Sequence, residues 1–242
     1  MCECSTNKRR SKRIFRKVTH CIFELDGLLL DTEDKYEMII KDMIKIFNKE
    51  LTWEIRLQLF GKTDLEVAEF LIEEFELPVT VNEFLVQYYR IAMRKLRASE
   101  LFPGAERLIR HLHKNRVPMA LATSSTEDMV RIKTQGNRDV FRLLHHKVYG
   151  GSDRAVRERK PAPDIFFIAS QRFIPWVTPM DCLVFEHSPN GVRGARTAKM
   201  QCVMKPDKRF PAEEMREIAN EVLNSLEDFR PELYGLPAYP QQ

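Results

Sequence analysis

From Leu101 to Lys205, short apolar runs alternate with segments of helical length, and this alternation limits the folds open to the chain more than any other feature. "VPMALATSS" (Val117–Ser125), "HKVYGG" (His146–Gly151), "DCLVFEHSPNG" (Asp181–Gly191) and "QCVMK" (Gln201–Lys205) read as strands or strand-and-turn units. "PGAERLIRHLHKN", "PAPDIFFIASQRF" and "VRGARTAKM" read as helices, the first with proline at its start. Strands separated by helices imply right-handed crossovers and a parallel sheet, whose ligands bind beyond the carboxyl ends of the strands. "VTHCIF" (Val18–Phe23) is one more β-branched and aromatic run of strand length.

The intervening stretch has a different period. Asp31–Lys49 reads as a helix capped by Asp31 or Thr32, with an apolar side of Tyr36, Met38–Ile40, Met43, Ile44 and Phe47. Asp64–Leu77 sets Leu65, Ala68, Leu71, Ile72 and Phe75 on one face, and Asn82–Arg97 does the same with Phe84, Leu85, Tyr88, Ile91, Ala92 and Leu96. No strand is expected between residues 51 and 100. The expected organisation is a basic tail (1–17), an α/β core (18–36 and 101–242) and a helical insert (37–100).

Hydrophobic residues make up 43% of the 242 and charged residues 31%, the balance of a soluble globular chain. No apolar run approaches the roughly 20 residues that span a bilayer, and the N-terminus lacks the apolar segment of a secretory signal. Cys21, Cys182 and Cys202 lie in apolar, strand-like stretches and read as small buried residues of a reducing compartment. Cys2-x-Cys4 has no partner histidines or cysteines nearby, so it reads as part of the tail. A cytoplasmic monomer is the expectation.

The net charge of +4 is local. Seven cations, from Lys8 to Lys17, stand against Glu3 in the first twenty residues, which leaves the remaining chain net acidic. Such a tail is either solvated or contacts an acidic partner: nucleic acid, anionic membrane or an import receptor.

Four clusters follow the expected strands: Glu24, Asp26 and Gly27; Thr123, Ser124 and Ser125; Lys160, before a helix; and Glu186, His187 and Ser188. A parallel sheet brings them to one edge. Carboxylates from two strands suit a hard divalent cation. Hydroxyls and a lysine suit a phosphate. Together they point to phosphoryl chemistry, with acid and base groups at the first strand.

The order of these clusters resembles the haloacid dehalogenase superfamily of phosphatases. The resembling segments are "ELDGLLLDTE", "LATSS", "KPAPDIF" and "VFEHSPNG", with a helical insert between the first and second. "FGKTDLEVAEFLIEEFELP", "FPGAERLIRHL" and the ending "VLNSLEDFRPELYGLPAY" are similar to the pseudouridine-5'-phosphatases of animals. The resemblance implies a Rossmann-like parallel sheet with a small inserted helical cap, hydrolysing a small phosphorylated metabolite of the nucleoside 5'-monophosphate class. By position, the nucleophile falls on Glu24 and the acid/base on Asp26. Thr123 and Lys160 fall on the phosphoryl-binding positions, and Ser124, Ser125 and Lys62 face the substrate. Mg²⁺ would be held by Glu24, Asp26 (through its backbone carbonyl), Glu186 and His187.

Two of these positions depart from the family pattern. Glu24 stands where the family has aspartate, and the extra methylene moves the reacting oxygen by roughly 1 Å, enough to cost about 10²-fold in rate. His187 replaces the second acid of the fourth motif, and imidazole is a poor ligand for Mg²⁺. Arg159 stands before Lys160 where the pseudouridine phosphatases have glycine. Three readings follow: a site that keeps the fold and has lost its chemistry, a slow phosphatase, or an exchange of metal, with Glu24, Glu186 and His187 suited to Zn²⁺, Mn²⁺ or Fe²⁺.

Overall fold

The computed structural model describes residues 15–211 and 213–241. Six strands form one parallel sheet: β1 (His20–Phe23), β2 (Met119–Thr123), β3 (His146–Tyr149), β4 (Cys182–Glu186), β5 (Gln201–Met204) and β6 (Glu221–Val222). They lie in the order β3-β2-β1-β4-β5-β6. In register, Phe23 of β1 sits between Leu121 of β2 and Phe185 of β4. The chain leaves β1 towards β2 and β3 on one side and later fills β4 to β6 on the other. The strand order therefore reverses at β1, which opens a crevice at its carboxyl end.

Alternation along the strands divides the core. Cys21, Phe23, Leu121, Leu183, Phe185 and Val203 pack on one face against α5 (Ala105–Lys114), α7 (Arg138–Phe141) and the C-terminal segment around Phe229 and Tyr234. Ile22, Ala120, Ala122, Val184, Cys202 and Met204 point the other way, against α8 (Asp164–Gln171), α9 (Pro189–Thr197) and α10 (Met215–Ile218). Both faces are covered, as a parallel sheet requires.

The insert is helical throughout: α1 (Glu33–Lys45), α2 (Trp53–Leu59), α3 (Asp64–Phe75) and α4 (Val81–Lys95). These helices have an apolar core of their own, built on Ile39, Ile40, Met43, Leu71, Phe84 and Tyr88, and Met129 of α6 (Glu127–Lys133) joins it. Thr63 and Thr80 begin α3 and α4 with reciprocal capping boxes to Glu66 and Glu83. On α3 it is Val67, not Leu65 or Ile72, that is buried beside Ala68, Leu71 and Phe75.

Helix α1 is shorter than expected. Thr32 stands at its start but makes no capping hydrogen bond. Its hydroxyl donates to Asp26 instead (2.7 Å). The two-residue β6 and the helix α6 went unassigned in the sequence. Residues 1–14, with Cys2, Cys4 and most of the basic run, lie outside the described residues. Phe15–Lys17, counted with the tail, pack on the core: Phe15 lies against Tyr234 (4.6 Å between ring centroids), and Arg16 Nε donates to the Met180 carbonyl (3.0 Å). Among the described residues no helix is long and apolar enough to cross a membrane.

Candidate active site

The edge begins with a tight curl after β1. Leu29 and Leu30 N–H groups both donate to Leu25 O, and Gly27 N–H donates to Leu30 O, so "LDGLLL" folds back on itself. Gly27 holds a φ of +68°, and a Cβ there would meet the His187 ring at 2.5 Å. The curl buries four leucines, Leu25 and Leu28–Leu30, and leaves Glu24 and Asp26 at the carboxyl edge.

All four clusters expected from the sequence meet here. Lys160 Nζ donates to the Glu24 carboxylate, to Glu186 Oε1 (2.6 Å) and to Ala122 O (3.1 Å), which uses all three ammonium protons. The other Glu24 oxygen accepts the Leu25 N–H (2.9 Å). The second Glu186 oxygen accepts the His187 and Ser188 N–H groups (2.9 and 3.2 Å) and the Ser188 hydroxyl (3.2 Å). Burial disfavours the Lys160 ammonium, but Glu186 and Glu24 outweigh it and raise its pKa. Burial likewise opposes ionisation of Glu186, and Lys160 and His187 overcome that and lower its pKa.

Asp26 is held by a separate set. Oδ1 accepts from Thr32, and Oδ2 accepts from the Ser125 hydroxyl (2.8 Å) and Lys133 Nζ (2.5 Å). Lys133 is completely buried. Its remaining protons go to Ser125 Oγ (2.6 Å) and the Tyr36 hydroxyl (2.9 Å). The sequence reading missed Lys133. The available signal was its place on the Met129–Val130 face of α6, three and four residues on.

Also missed were Glu33, Arg56 and Asp64, which carry the site into the helical block. Arg56 of α2 donates to the Glu33 carboxylate and to Glu33 O (3.2 Å). His187 Nε2 lies 3.1 Å from the same carboxylate, at ion-pair distance but out of line for a hydrogen bond. Burial would raise the Glu33 pKa, yet Arg56 and His187 bring it down to about 2. Burial opposes the His187 imidazolium, and Glu33, with Glu186 and Glu24 behind it, raises its pKa all the same.

A cavity of about 50 Å³ lies between the edge and the helices, lined among others by Glu24, Asp26, Lys62, Asp64, Ser124 and His187. That is room for a few water-sized bodies. Ser124 closes one side by donating to Gly61 O (3.1 Å). Lys62 lines the cavity, with its ammonium 5.8 Å from the centre of the Phe70 ring. Ser125 turns to Asp26, and Thr123 is buried, with its hydroxyl accepting the Ser125 N–H (3.3 Å). Thr123 and Lys160 do not line the cavity. Arg159 reaches towards Glu66 of α3 (3.9 Å).

The donor set does not fit Mg²⁺. A hard cation asks for six or more oxygens. Both oxygens of Glu24 and both of Glu186 are engaged by protein donors, and the fourth expected position presents an imidazole packed on Gly27. Glu24, Glu186 and His187 do not gather for a softer metal either. His187 Nδ1 stands 3.8 Å from Glu186, and among the described residues no three His, Cys, Asp or Glu are placed to hold an ion. Instead, four carboxylates (Glu24, Asp26, Glu33 and Glu186) face four basic side chains (Lys160, Lys133, Arg56 and His187).

Known proteins share this arrangement of chain. The sequence profile of the haloacid dehalogenase-like hydrolases matches residues 21–205. A probable pseudouridine-5'-phosphatase of Drosophila melanogaster is 48% identical over 229 residues, which is 95% of this chain and 99% of that protein. The (DL)-glycerol-3-phosphatase 2 of Arabidopsis thaliana is 39% identical, covering 92% of this chain and 93% of its own. Among solved structures, CbbY from Rhodobacter sphaeroides in complex with phosphate superposes with a TM-score of 0.72 at 21% identity, over 87% of this chain and 96% of that one.

Proposed function

Because the chain belongs to the haloacid dehalogenase-like hydrolases, we propose that it binds a small phosphomonoester at the β1 edge, with a nucleoside 5'-monophosphate such as pseudouridine 5'-phosphate as first candidate, and that its hydrolytic step is absent or severely slowed. Residues 37–100 act as a cap over a core formed by 18–36 and 101–242. Phosphatases of this family generally use Mg²⁺; in this chain that ion has lost its donors.

In the family's reaction a Glu24 oxygen would attack phosphorus and the bond to the alcohol oxygen would break. Asp26 would protonate that oxygen, and later take a proton from the water that opens the acyl phosphate. Thr123 and Lys160 would hold the phosphoryl oxygens, with Ser124, Ser125 and Lys62 towards the rest of the substrate. Thr32, Ser125 and Lys133 fix the orientation of the Asp26 carboxylate. The observation that carries the proposal is the state of Glu24. Its arm is one methylene too long, and both its oxygens are tied, to Leu25 and to Lys160. A misplaced nucleophile of this kind costs about 10²-fold, before the missing charge opposite the phosphoryl group is counted.

Phosphate release tests this. Pseudouridine 5'-monophosphate and an aryl phosphate are offered with Mg²⁺, Mn²⁺ or Zn²⁺ to the wild type and to Lys160→Ala. No turnover above the variant is expected with any metal. Turnover that vanishes in Lys160→Ala makes Glu24 a working nucleophile and overturns the loss of chemistry.

A further inference from the structure

Every carboxylate at the β1 edge is saturated by protein donors, and the one on the opposite wall of the cavity is not. Asp64 is the first residue of α3, whose start is fixed by the Thr63–Glu66 capping box and by the Ser124 hydroxyl on Gly61 O. Its Oδ1 accepts the Tyr88 hydroxyl (3.0 Å). Its Oδ2 is out of reach of solvent and has no hydrogen bond. The Tyr89 hydroxyl also approaches the Asp64 carboxylate and interacts with it, but it forms no hydrogen bond of good geometry to that oxygen. Burial, the largest influence, raises the pKa of Asp64 despite Lys133 and Tyr88. A buried acceptor without a donor is costly to the folded chain. Asp64 lines the same cavity as Glu24 and Asp26, next to Tyr36 and Tyr88, whose rings stack 6.4 Å apart.

We propose that Asp64 is the specificity-determining residue for the alcohol part of the phosphomonoester, accepting a hydrogen bond from a hydroxyl of a polyol or sugar phosphate. This rests on the phosphate-binding reading above. The logic is differential. A ligand that brings an O–H satisfies an oxygen the protein leaves bare, and an alkyl phosphate of equal size leaves it bare and dry. Sites built to receive a hydroxyl discriminate strongly against ligands that lack it. Tyr88 positions the carboxylate, and the stacked Tyr36 continues the wall to Lys133 and Asp26.

Calorimetric titration of the full chain with inorganic phosphate, glycerol 3-phosphate and propyl phosphate separates the possibilities, since the two esters share a three-carbon skeleton. The wild type is expected to bind glycerol 3-phosphate at least about tenfold tighter than propyl phosphate. Asp64→Ala is expected to abolish that ratio and Asp64→Asn to reduce it, since the amide N–H donates to the ligand hydroxyl where the carboxylate accepted from it; both are expected to leave the inorganic phosphate affinity unchanged. Equal affinities in the wild type, or a ratio that survives both variants, overturn the inference alone. Failure of all three compounds to bind overturns the phosphate reading and the inference with it. Thermal unfolding without ligand guards against a purely structural role: Asp64→Asn is expected to raise Tm, because a bare buried carboxylate is removed while Tyr88 keeps an acceptor. A lowered Tm together with loss of both esters assigns Asp64 to folding and overturns the proposal.

Discussion

The two halves of the β1 edge contrast. Around Asp26, every partner is a dedicated donor: Thr32 on one oxygen, Ser125 and a wholly buried Lys133 on the other. Beside it, Glu24 and His187 are closed over by their neighbours. Lys160 bridges Glu24 to Glu186, and the imidazole turns to Glu33 and, through it, to Arg56 of the helical block. The first half is a set of donors converging on one carboxylate. The second is an ion-pair chain that joins core to helices. Each buried carboxylate of the edge thus has a protein cation beside it. Buried carboxylates persist only when so paired.

The largest test reverses the second half. Glu24→Asp combined with His187→Asp shortens the arm and returns the acid. Turnover with Mg²⁺ is expected to rise between about 10²-fold and 10⁴-fold, less than the product of the single effects because both act on one charge centre. Phosphate release by both single variants and the double variant checks it, and activity that stays at background means that the first half has changed as well. Next in size is the first half itself. Lys133→Met leaves Asp26 buried without its cation and is expected to cost about 3–5 kcal/mol of stability, read from the urea midpoint. A loss below about 1 kcal/mol would show that Thr32 and Ser125 suffice.

The same contrast explains what was legible in the sequence. Glu24, Asp26, Thr123, Glu186 and His187 stand at or just past the ends of apolar strands, and Lys160 precedes a helix; a parallel sheet must bring strand ends together, so the meeting of the first five was foreseeable. Strand β6 was not, since two residues carry no alternation; it pairs only because Val203 and Met204 offer an open edge. Lys133 reads as a surface lysine on a short helix until Asp26, 107 positions away, is seen to need it. Arg56 and Asp64 fall on polar positions of their helices, and nothing local says that these positions face a cavity. Thr32 had the right type for a helix cap, but the Asp26 carboxylate takes its hydroxyl.

Acid titration probes the ion-pair chain. The Glu33 pKa stands at about 2 in the folded chain, against an ordinary 4.5. A lowered value means that the ionised group stabilises the fold at pH above 4.5 and that this contribution disappears as pH falls through 2. The difference in unfolding free energy between wild type and Glu33→Gln is therefore expected to be level above about pH 5.5, at about 3 kcal/mol, and to shrink steadily below 4.5. A difference that does not change between pH 5 and 2.5 would place Glu33 outside the chain.

The smallest effect asks whether the His187 ring really occupies the place against Gly27. Gly27→Ala meets two obstacles, a positive φ and the imidazole carbon 2.5 Å from the new methyl. The backbone part alone costs about 1–2 kcal/mol. The ring adds to it only if it cannot move, and its ion pairs with Glu33 and Glu186 hold it. In a His187→Ser background the obstacle is gone, so Gly27→Ala is expected to cost about 1 kcal/mol less than in the wild type, measured by chemical denaturation as a double-mutant cycle. Equal costs in the two backgrounds would mean that the imidazole yields freely, and the charge chain from Lys160 to Arg56 would then be broken at its middle member.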